Sequence, residues 1–322
     1  TKPENIPAGV DWTKYWAIGM SDRLADNARR VQAAADAPHA DVSSNCITGH
    51  YLNGFRSNSV NTATNPWLTA QGLPSLQIDF YSVAFLQAYM RSLAGAAKGR
   101  PFYISEAGGR ASASSAAYMT LYSFAYGAEG ITFWGRPRQI PPSSALGVAK
   151  AMHALNEPRL QTKTEPVTDG VGLMFSLDSL YLSNVIQSPW PYLLPWQGGA
   201  LLLSRMQVLY DMYSDRRLGE KIPQHITVLF APGALSVSAD TFKNIKAFVA
   251  NGGTLIVDDQ FARFTEHGRE RAEAKRRTIF DHKEVIKLQT DDLNTWRRAL
   301  GTDSHDPHLW ANEDLPAWHN PI

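Results

Sequence analysis

Residues 102–134 read FYISEAGGRASASSAAYMTLYSFAYGAEGITFW, and this stretch decides the fold. It opens with a short apolar run that ends at a carboxylate, Glu106. Apolar residues at helical spacing follow over 112–126, and a second apolar run closes at Trp134. A strand, a helix and a second strand in this order are typical of a unit with parallel strands.

The same alternation continues on both sides of this stretch. Strands are predicted at 41–46 and 76–81, and helices at 11–35, 83–97 and 146–156. The sequence up to residue 158 therefore predicts four parallel strands, each followed by a helix or a long loop.

The residues at the carboxyl ends of these strands are candidates for a site, because barrel enzymes carry their reactive groups there. They comprise an amide, two carboxylates, two aromatic rings and a guanidinium: Asn45, Asp79, Tyr81, Glu106, Trp134 and Arg136. Polar groups can bind hydroxyls and an indole can cover the face of a ring, so this mixture suits a polyol ligand.

Glu106 has two interpretations at this point. Glycoside hydrolysis needs two carboxylates, one as acid/base and one as nucleophile or base, and Glu106 at a strand end is a candidate for one of them. Glu106 fits a structural carboxylate paired with an arginine such as Arg136 equally well. The position alone favours neither interpretation.

A second strand–helix series begins after the polar stretch 161–169. Strands are predicted at 170–176, 226–231 and 254–258, and helices at 199–213 and 238–251, the latter capped by Ser238. This order predicts a small doubly wound sheet. Residues 269–277 alternate in charge, which favours an exposed helix face.

The composition excludes several classes of protein. The 322 residues are 44% hydrophobic and 19% charged, as in globular domains with a sizeable core. The 31 basic residues balance 30 acidic ones, so we expect no nucleic-acid partner. The single cysteine, Cys46, excludes an internal disulfide and is expected to be inert. No apolar run is as long as a membrane span, and no membrane partner is expected.

Two further features, a group of His and Asp residues at 305–308 and an aromatic segment at 189–196, have simple explanations. His305, Asp306 and His308 fit a solvated tail better than a metal site, and we expect neither a metal nor a cofactor. The aromatic segment 189–196 fits an intersubunit contact and packing within its own domain about equally well.

The order of these motifs resembles glycoside hydrolase family 42, a family of β-galactosidases. FYISE at 102–106 resembles the nucleophile strand, and YGAEGITFWGR at 126–136 resembles the helix end and strand that follow it. Upstream, Ser44-Asn45 and Asp79-Phe80-Tyr81 resemble two earlier strands. Downstream, residues 170–259 are similar to the family's trimerisation domain, and the segment from 229 to 257 fits it best.

The resemblance implies an α/β chain in three parts. Residues 1–160 would form the second half, strands 5–8, of a (β/α)8 TIM-type barrel. Residues 161–265 would form a trimerisation domain with a class I glutamine amidotransferase-like, flavodoxin-like fold, and 266–322 a charged helical or irregular extension. A homo-oligomer, trimeric by resemblance, is implied as well.

The activity implied is retaining hydrolysis of a β-glycosidic bond in an oligo- or polysaccharide, most closely that of a β-galactosidase. Glu106 would be the nucleophile. The remaining candidates would bind the sugar or support the site: Asn45, Asp79, Tyr81, Trp134 and Arg136. The insertion at 138–144 replaces a sugar-binding segment of the family, which leaves an agarase-like or other β-glycosidase specificity open.

The family's acid/base glutamate lies on a fourth strand that would precede this sequence. We therefore expect a partial sequence, although a second chain or a pair of half barrels would also complete the barrel. Pro232 is followed by Gly-Ala-Leu-Ser without the cysteine that glutamine hydrolysis needs, so the second domain is expected to be structural. The alternative function is a non-catalytic carbohydrate-binding or scaffolding protein with a degenerate barrel.

Overall fold

The computed structural model describes residues 3–34, 43–46, 66–72, 75–79, 92, 102–108, 112–125, 128, 130–134, 141–156, 169–186, 190–206 and 208–288. Among these, residues up to Met20 and from Asp169 onward form one compact unit, and residues from Ser21 to Asn156 form another. Each unit contains one parallel sheet, and we call them the five-stranded and the four-stranded unit.

The four-stranded unit has the strand order β1-β2-β3-β4, and all adjacent strands are parallel. Its strands are β1 (Ser43–Cys46), β2 (Ser75–Asp79), β3 (Phe102–Gly108) and β4 (Gly130–Trp134). Its helices are the end of α1 (Ile6–Ala34), then α2 (Pro66–Gly72), α3 (Ala113–Ala125) and α4 (Pro142–Leu155). Strands adjacent in the sheet are also consecutive in the chain, as in a singly wound (β/α) sheet. The four predicted strands are confirmed.

Helices α3 and α4 pack through small residues. Ser144, Gly147 and Ala151 form the buried stripe of α4. A Cβ placed on Gly147 would lie 2.0 Å from the carbonyl oxygen of Ala113, the first residue of α3. No real Cβ makes so short a contact, so the absent side chain of Gly147 lets the two backbones touch.

The five-stranded unit has the strand order β6-β5-β7-β8-β9, again with parallel neighbours only. Its strands are β5 (Val171–Phe175), β6 (Tyr210–Ser214), β7 (Val228–Phe230), β8 (Thr254–Asp258) and β9 (Val285–Leu288). Its helices are the start of α1, then α5 (Leu177–Ile186), α6 (Trp190–Arg205), α7 (Asp215–Glu220), α8 (Ala239–Ala250) and α9 (Glu273–Phe280). This is a doubly wound order whose switch point lies between the carboxyl ends of β5 and β7.

Apolar strands and aromatic side chains fill the core of this unit. All five residues of β5 are buried, as expected of a central strand. Tyr192 and Trp196 of α6 are fully buried, and their rings meet Phe175 edge-on at 5.7 and 5.0 Å. These two members of the aromatic segment 189–196 therefore pack within their own unit.

The prediction of one helix over 199–213 is wrong. Helix α6 ends at Arg205, and β6 begins five residues later at Tyr210. Burial in Tyr210–Ser214 alternates residue by residue, and a period of two marks a strand rather than a helix.

The sheet also extends beyond residue 265, where the sequence predicts its domain to end. Strand β9 pairs with β8 and forms an edge of the sheet. Arg271, predicted on an exposed helix face, is buried instead. Its guanidinium lies 4.5 Å from the centre of the Phe242 ring and donates to the carbonyl oxygen of Val237 at 2.6 Å.

A buried polar cluster closes the carboxyl edge of the five-stranded sheet. Ser176, directly after β5, donates from Oγ to the carbonyl oxygen of Ser236 at 2.9 Å and lies 3.3 Å from Asp215 Oδ2. Ser179 Oγ donates to the same carbonyl oxygen and accepts from the N–H of Ser236. Asp215 accepts from the N–H of Asp178 at 2.9 Å. The cluster thus joins β5, β6 and the loop after β7.

The first turns of α1 dock onto this cluster. Lys14 Nζ lies 2.5 Å from Asp178 Oδ1 and also donates to the carbonyl oxygen of Glu266. One turn away, Asp11 Oδ1 lies 2.7 Å from His267 Nδ1. The ammonium of Lys14 therefore lies at a pair of neighbouring carboxyl groups, the half-buried Asp178, which it contacts, and the buried Asp215.

Burial disfavours charge on both members of this pair. It raises the pKa of Asp215 to about 7, and the neighbouring Asp178 carboxylate adds to the rise. Burial also raises the pKa of Asp178, and the Lys14 ammonium opposes that rise. A protonated Asp215 carboxyl can donate to Ser176 Oγ, which keeps the cluster hydrogen-bonded.

The free energy of unfolding of the five-stranded unit should fall as the pH rises from about 4 to about 7, because Asp215 ionises at lower pH in the unfolded chain than in the folded one. The contribution is complete below the unfolded pKa of 3.8 and is lost as the pH rises through about 7. We expect a loss of about 2–4 kcal/mol, measured by urea unfolding over a pH series.

Asp215→Asn removes this titration and should flatten the profile. The variant should be less stable than the parent below about pH 6, because the amide replaces an oxygen that accepts a backbone hydrogen bond. Asp240→Asn, at an exposed position of α8, is the control and should keep the parental slope. Parallel profiles for Asp215→Asn and the parent would contradict the assignment.

Gly147→Val should destabilise the four-stranded unit by about 2–4 kcal/mol, because α3 and α4 must separate to admit the side chain. The measurement is the free energy of unfolding in urea. Gly19→Ala in α1 is the matched control, since a Cβ there meets nothing within 4 Å. It should stabilise the chain by about 0.5–1 kcal/mol through helix propensity alone. Equal effects of the two substitutions would refute the close approach.

Candidate functional site

Four of the six candidate residues lie on the strands of the four-stranded sheet. Asn45 is the next-to-last residue of β1, Asp79 the last of β2 and Trp134 the last of β4. Glu106 lies in the carboxyl half of β3. Because the strands are parallel, these four positions share one edge of the sheet.

The register gives their spacing. Asp79 pairs with Ser105, so it lies one position from Glu106 along the neighbouring strand. Trp134 pairs with Gly108, two positions beyond Glu106. Asn45 pairs with Gln77, two positions before Asp79. Successive residues of a strand rise about 3.3 Å and adjacent strands lie about 4.8 Å apart, so the four backbone positions fall within a compact area.

Alternation along each strand assigns paired residues to one of the two faces of the sheet. One face, which we call the polar face, carries Asn45, Gln77, Asp79, Tyr103, Ser105, Thr132 and Trp134. The other, the apolar face, carries mostly apolar residues together with one serine: Ser44, Cys46, Leu76, Ile78, Phe102, Ile104, Ala107, Ile131 and Phe133. Three of the candidates therefore share the polar face.

The pairing of β3 with β4 is irregular beside the fourth candidate. Two residues of β3, Ser105 and Glu106, stand opposite the single residue Thr132 of β4. Regular pairing resumes where Ala107 meets Phe133. One extra residue in one strand is a β-bulge.

Tyr81 and Arg136 lie outside the described residues. The pairing of Glu106 with Arg136, which would make Glu106 a structural carboxylate, therefore stays a prediction. The same holds for the proposed contact of Tyr81 with the site.

The register adds residues that the sequence analysis does not single out. Gln77, Tyr103, Ser105 and Thr132 share the polar face with the candidates. A signal for them exists in the sequence, because polar and apolar residues alternate in the segment from Leu76 to Asp79.

The carboxyl edge of the five-stranded sheet is arranged differently. The hydroxyl of Ser238 caps α8 by accepting from the N–H of Thr241 at 3.1 Å, as predicted. The hydroxyl of Ser236 donates to the carbonyl oxygen of Thr265 at 2.7 Å. Gly233, in the preceding turn, has φ of 68° and donates to Asp258. The hydroxyls of Ser236 and Ser238 therefore both take part in structural hydrogen bonds.

The parts of the chain that the structure describes contain no cluster of three or more His, Cys, Asp or Glu residues that could hold a metal. His305, Asp306 and His308 lie outside those parts. No helix within the described ranges is long and apolar enough to cross a membrane.

No protein-family model and no curated protein sequence matches the chain. Solved structures do match it. The β-galactosidase from Rahnella sp. R3 has a TM-score of 0.61 at 14% identity, covering 83% of this chain and 43% of its own. The β-galactosidase from Bacillus circulans sp. alkalophilus has a TM-score of 0.60 at 16% identity, covering 83% and 42%.

An exo-carrageenase of family GH42 from Bacteroides ovatus covers 96% of this chain and 46% of its own, with a TM-score of 0.59 at 10% identity. Identities this low support a statement about fold alone. The chain has an α/β fold that resembles glycoside hydrolase family 42 structures over most of its length, and it spans less than half the length of those proteins.

Proposed function

We propose that the chain is part of a retaining glycoside hydrolase that cleaves β-glycosidic bonds, with Glu106 as its nucleophile. The observation that carries the proposal is the register of the four-stranded sheet. It brings Glu106 to one edge with Asn45, Asp79 and Trp134, where a parallel (β/α) sheet carries its reactive groups. The resemblance to family 42 structures supports the same assignment.

The reaction would proceed in two steps. The Glu106 carboxylate attacks the anomeric carbon and the bond to the leaving oxygen breaks, while a second carboxylic acid protonates that oxygen. Water then attacks the glycosyl-enzyme ester, and the second carboxylate takes the proton from the water. Retaining enzymes hold the two carboxyl groups about 5–5.5 Å apart, so the second must face Glu106 across the sugar.

We propose that the second carboxylate belongs to a part of the protein outside these 322 residues. The chain spans under half the length of the similar structures, and in the proposal the remaining length supplies the acid/base residue and the first half of the barrel. The four-stranded unit would then be strands 5–8 of a (β/α)8 barrel. We expect little or no hydrolysis by these 322 residues alone.

The other candidates would act on the sugar. Trp134 would form a platform under the ring, and Asn45 would bind a hydroxyl or support the nucleophile. Asp79, which pairs with Ser105 of the neighbouring strand, would shape the same rim. In the proposal Tyr81 lies next to the nucleophile and Arg136 holds a carboxylate.

The five-stranded unit would serve assembly. Its doubly wound order agrees with an amidotransferase-like domain, and the Ser236 and Ser238 hydroxyls are engaged in structural hydrogen bonds rather than poised as nucleophiles. We propose that this unit mediates homo-oligomer formation, as a trimer.

Glu106→Gln in the full-length gene product should lower kcat/KM for an activated aryl β-galactoside by about 10³-fold or more, equivalent to at least about 4 kcal/mol of transition-state stabilisation. Glu220→Gln, in an exposed helix of the five-stranded unit, is the matched control and should retain parental activity. Unchanged turnover by Glu106→Gln would reject the nucleophile.

Azide or formate should restore turnover to Glu106→Gly, because a small anion can occupy the space of the lost carboxylate and attack the anomeric carbon. The glycosyl azide formed should have the opposite anomeric configuration, as measured by NMR. Sugar binding by calorimetry without any hydrolysis of activated substrates by the parent would instead favour a non-catalytic carbohydrate-binding protein.

A further inference from the structure

Glu106 is the candidate that simple alternation would place on the wrong face of the four-stranded sheet. Ile104 lies on the apolar face, paired with Ile78 and Ile131. In a regular strand, residues two apart share a face, so residue 106 would join the isoleucines. Asn45, Asp79 and Trp134 would then lie on the opposite side of the sheet.

The irregular pairing of β3 with β4 changes this assignment. Ala107 pairs with Phe133, which lies on the apolar face. Counting back one residue from Ala107 places Glu106 on the polar face, and counting forward one residue from Ile104 places Ser105 there too. Both residues of the bulge therefore belong to the polar face.

We propose that the β-bulge at Ser105–Glu106 is a positioning device that transfers Glu106 to the polar face, next to Asp79 and opposite Thr132. Bulges of this kind occur next to active sites, where one extra residue re-aims a position without disturbing the rest of the strand. The role in catalysis rests on the proposed function, whereas the placement of residue 106 does not.

The bulge has a second consequence for the composition of the site. Asp79, Ser105, Glu106 and Thr132 form one row across three strands. Two hydroxyl residues and two acidic residues thus occupy adjacent register positions. Ser105 and Thr132 are site residues in this proposal, in addition to those expected from strand ends alone.

Thiol labelling of single-cysteine variants tests the placement. Cys46→Ala removes the native thiol, and Ser105→Cys, Glu106→Cys, Ala107→Cys and Ile104→Cys are made in that background. We expect a negatively charged methanethiosulfonate to modify residues 105 and 106 more than about tenfold faster than 104 and 107, because in the proposed barrel the apolar face packs against the outer ring of helices. In a strand without the bulge, residue 106 would be protected like 104 and residue 107 would react like 105. That result overturns the proposal.

Disulfide formation between two introduced cysteines gives a second readout, which does not depend on the rate of labelling by the methanethiosulfonate. The variant with Asp79→Cys and Glu106→Cys should form a disulfide under mild oxidation, because both positions share a face on adjacent strands and lie within the span of a disulfide. The control variant with Asp79→Cys and Ala107→Cys should not. Cross-linking of the control pair in preference to the first overturns the proposal.

The outcomes separate the placement from the activity. Expected labelling together with full activity of Glu106→Gln would reject the proposed nucleophile and leave the bulge in place. Reversed labelling together with an inactive Glu106→Gln would reject the positioning role of the bulge and leave the nucleophile.

Discussion

The hydrogen-bonded register of the four-stranded parallel sheet decides which residues can share a site. Successive residues of a strand alternate between two faces, so a slip of one position exchanges the polar and apolar sets. In β1, β2 and β4 the alternation agrees with the chemistry, since Asn45, Asp79 and Trp134 all belong to the polar face. In β3 the same result depends on one additional residue. The irregularity is thus part of the architecture of the edge.

The two sheets use their carboxyl edges in different ways. At the edge of the five-stranded sheet, the hydroxyls of Ser176 and Ser179 and the carboxyl of Asp215 bond to one another and to nearby backbone. A doubly wound sheet commonly binds ligands at this switch point. Here buried side chains and the start of α1 occupy it, which agrees with a structural role. The edge of the four-stranded sheet carries the amide, acidic and indole residues instead.

Much of the fold follows from local patterns, and the remainder depends on contacts made far along the chain. The strand–helix alternation predicts β1 to β4 and the central strands of the second sheet. Strand β6 escapes prediction because only four residues separate it from α6, so its period of two merges with the helical pattern. Strand β9 has four residues and only partial burial. The burial of Arg271 depends on Phe242 and on a backbone carbonyl of another segment.

The candidate site, too, can be predicted from the sequence only in part. Strand ends are visible in the sequence, so the residues of the edge can be selected from it. The bulge has no local signature in FYISEAGG, because an extra residue in β3 is defined only by its pairing with β4. Face assignments therefore require the sheet.

The docking of α1 also has a consequence for synthesis on the ribosome. Lys14 and Asp11 find partners 252 and 256 residues later in the chain. At about 5–20 residues per second, those partners emerge roughly 10–50 s after the helix itself. Val10 and Ala17, which are fully buried in the finished protein, belong to the same turns of the helix. The first turns of α1 therefore cannot complete their native contacts until translation has passed the loop around His267.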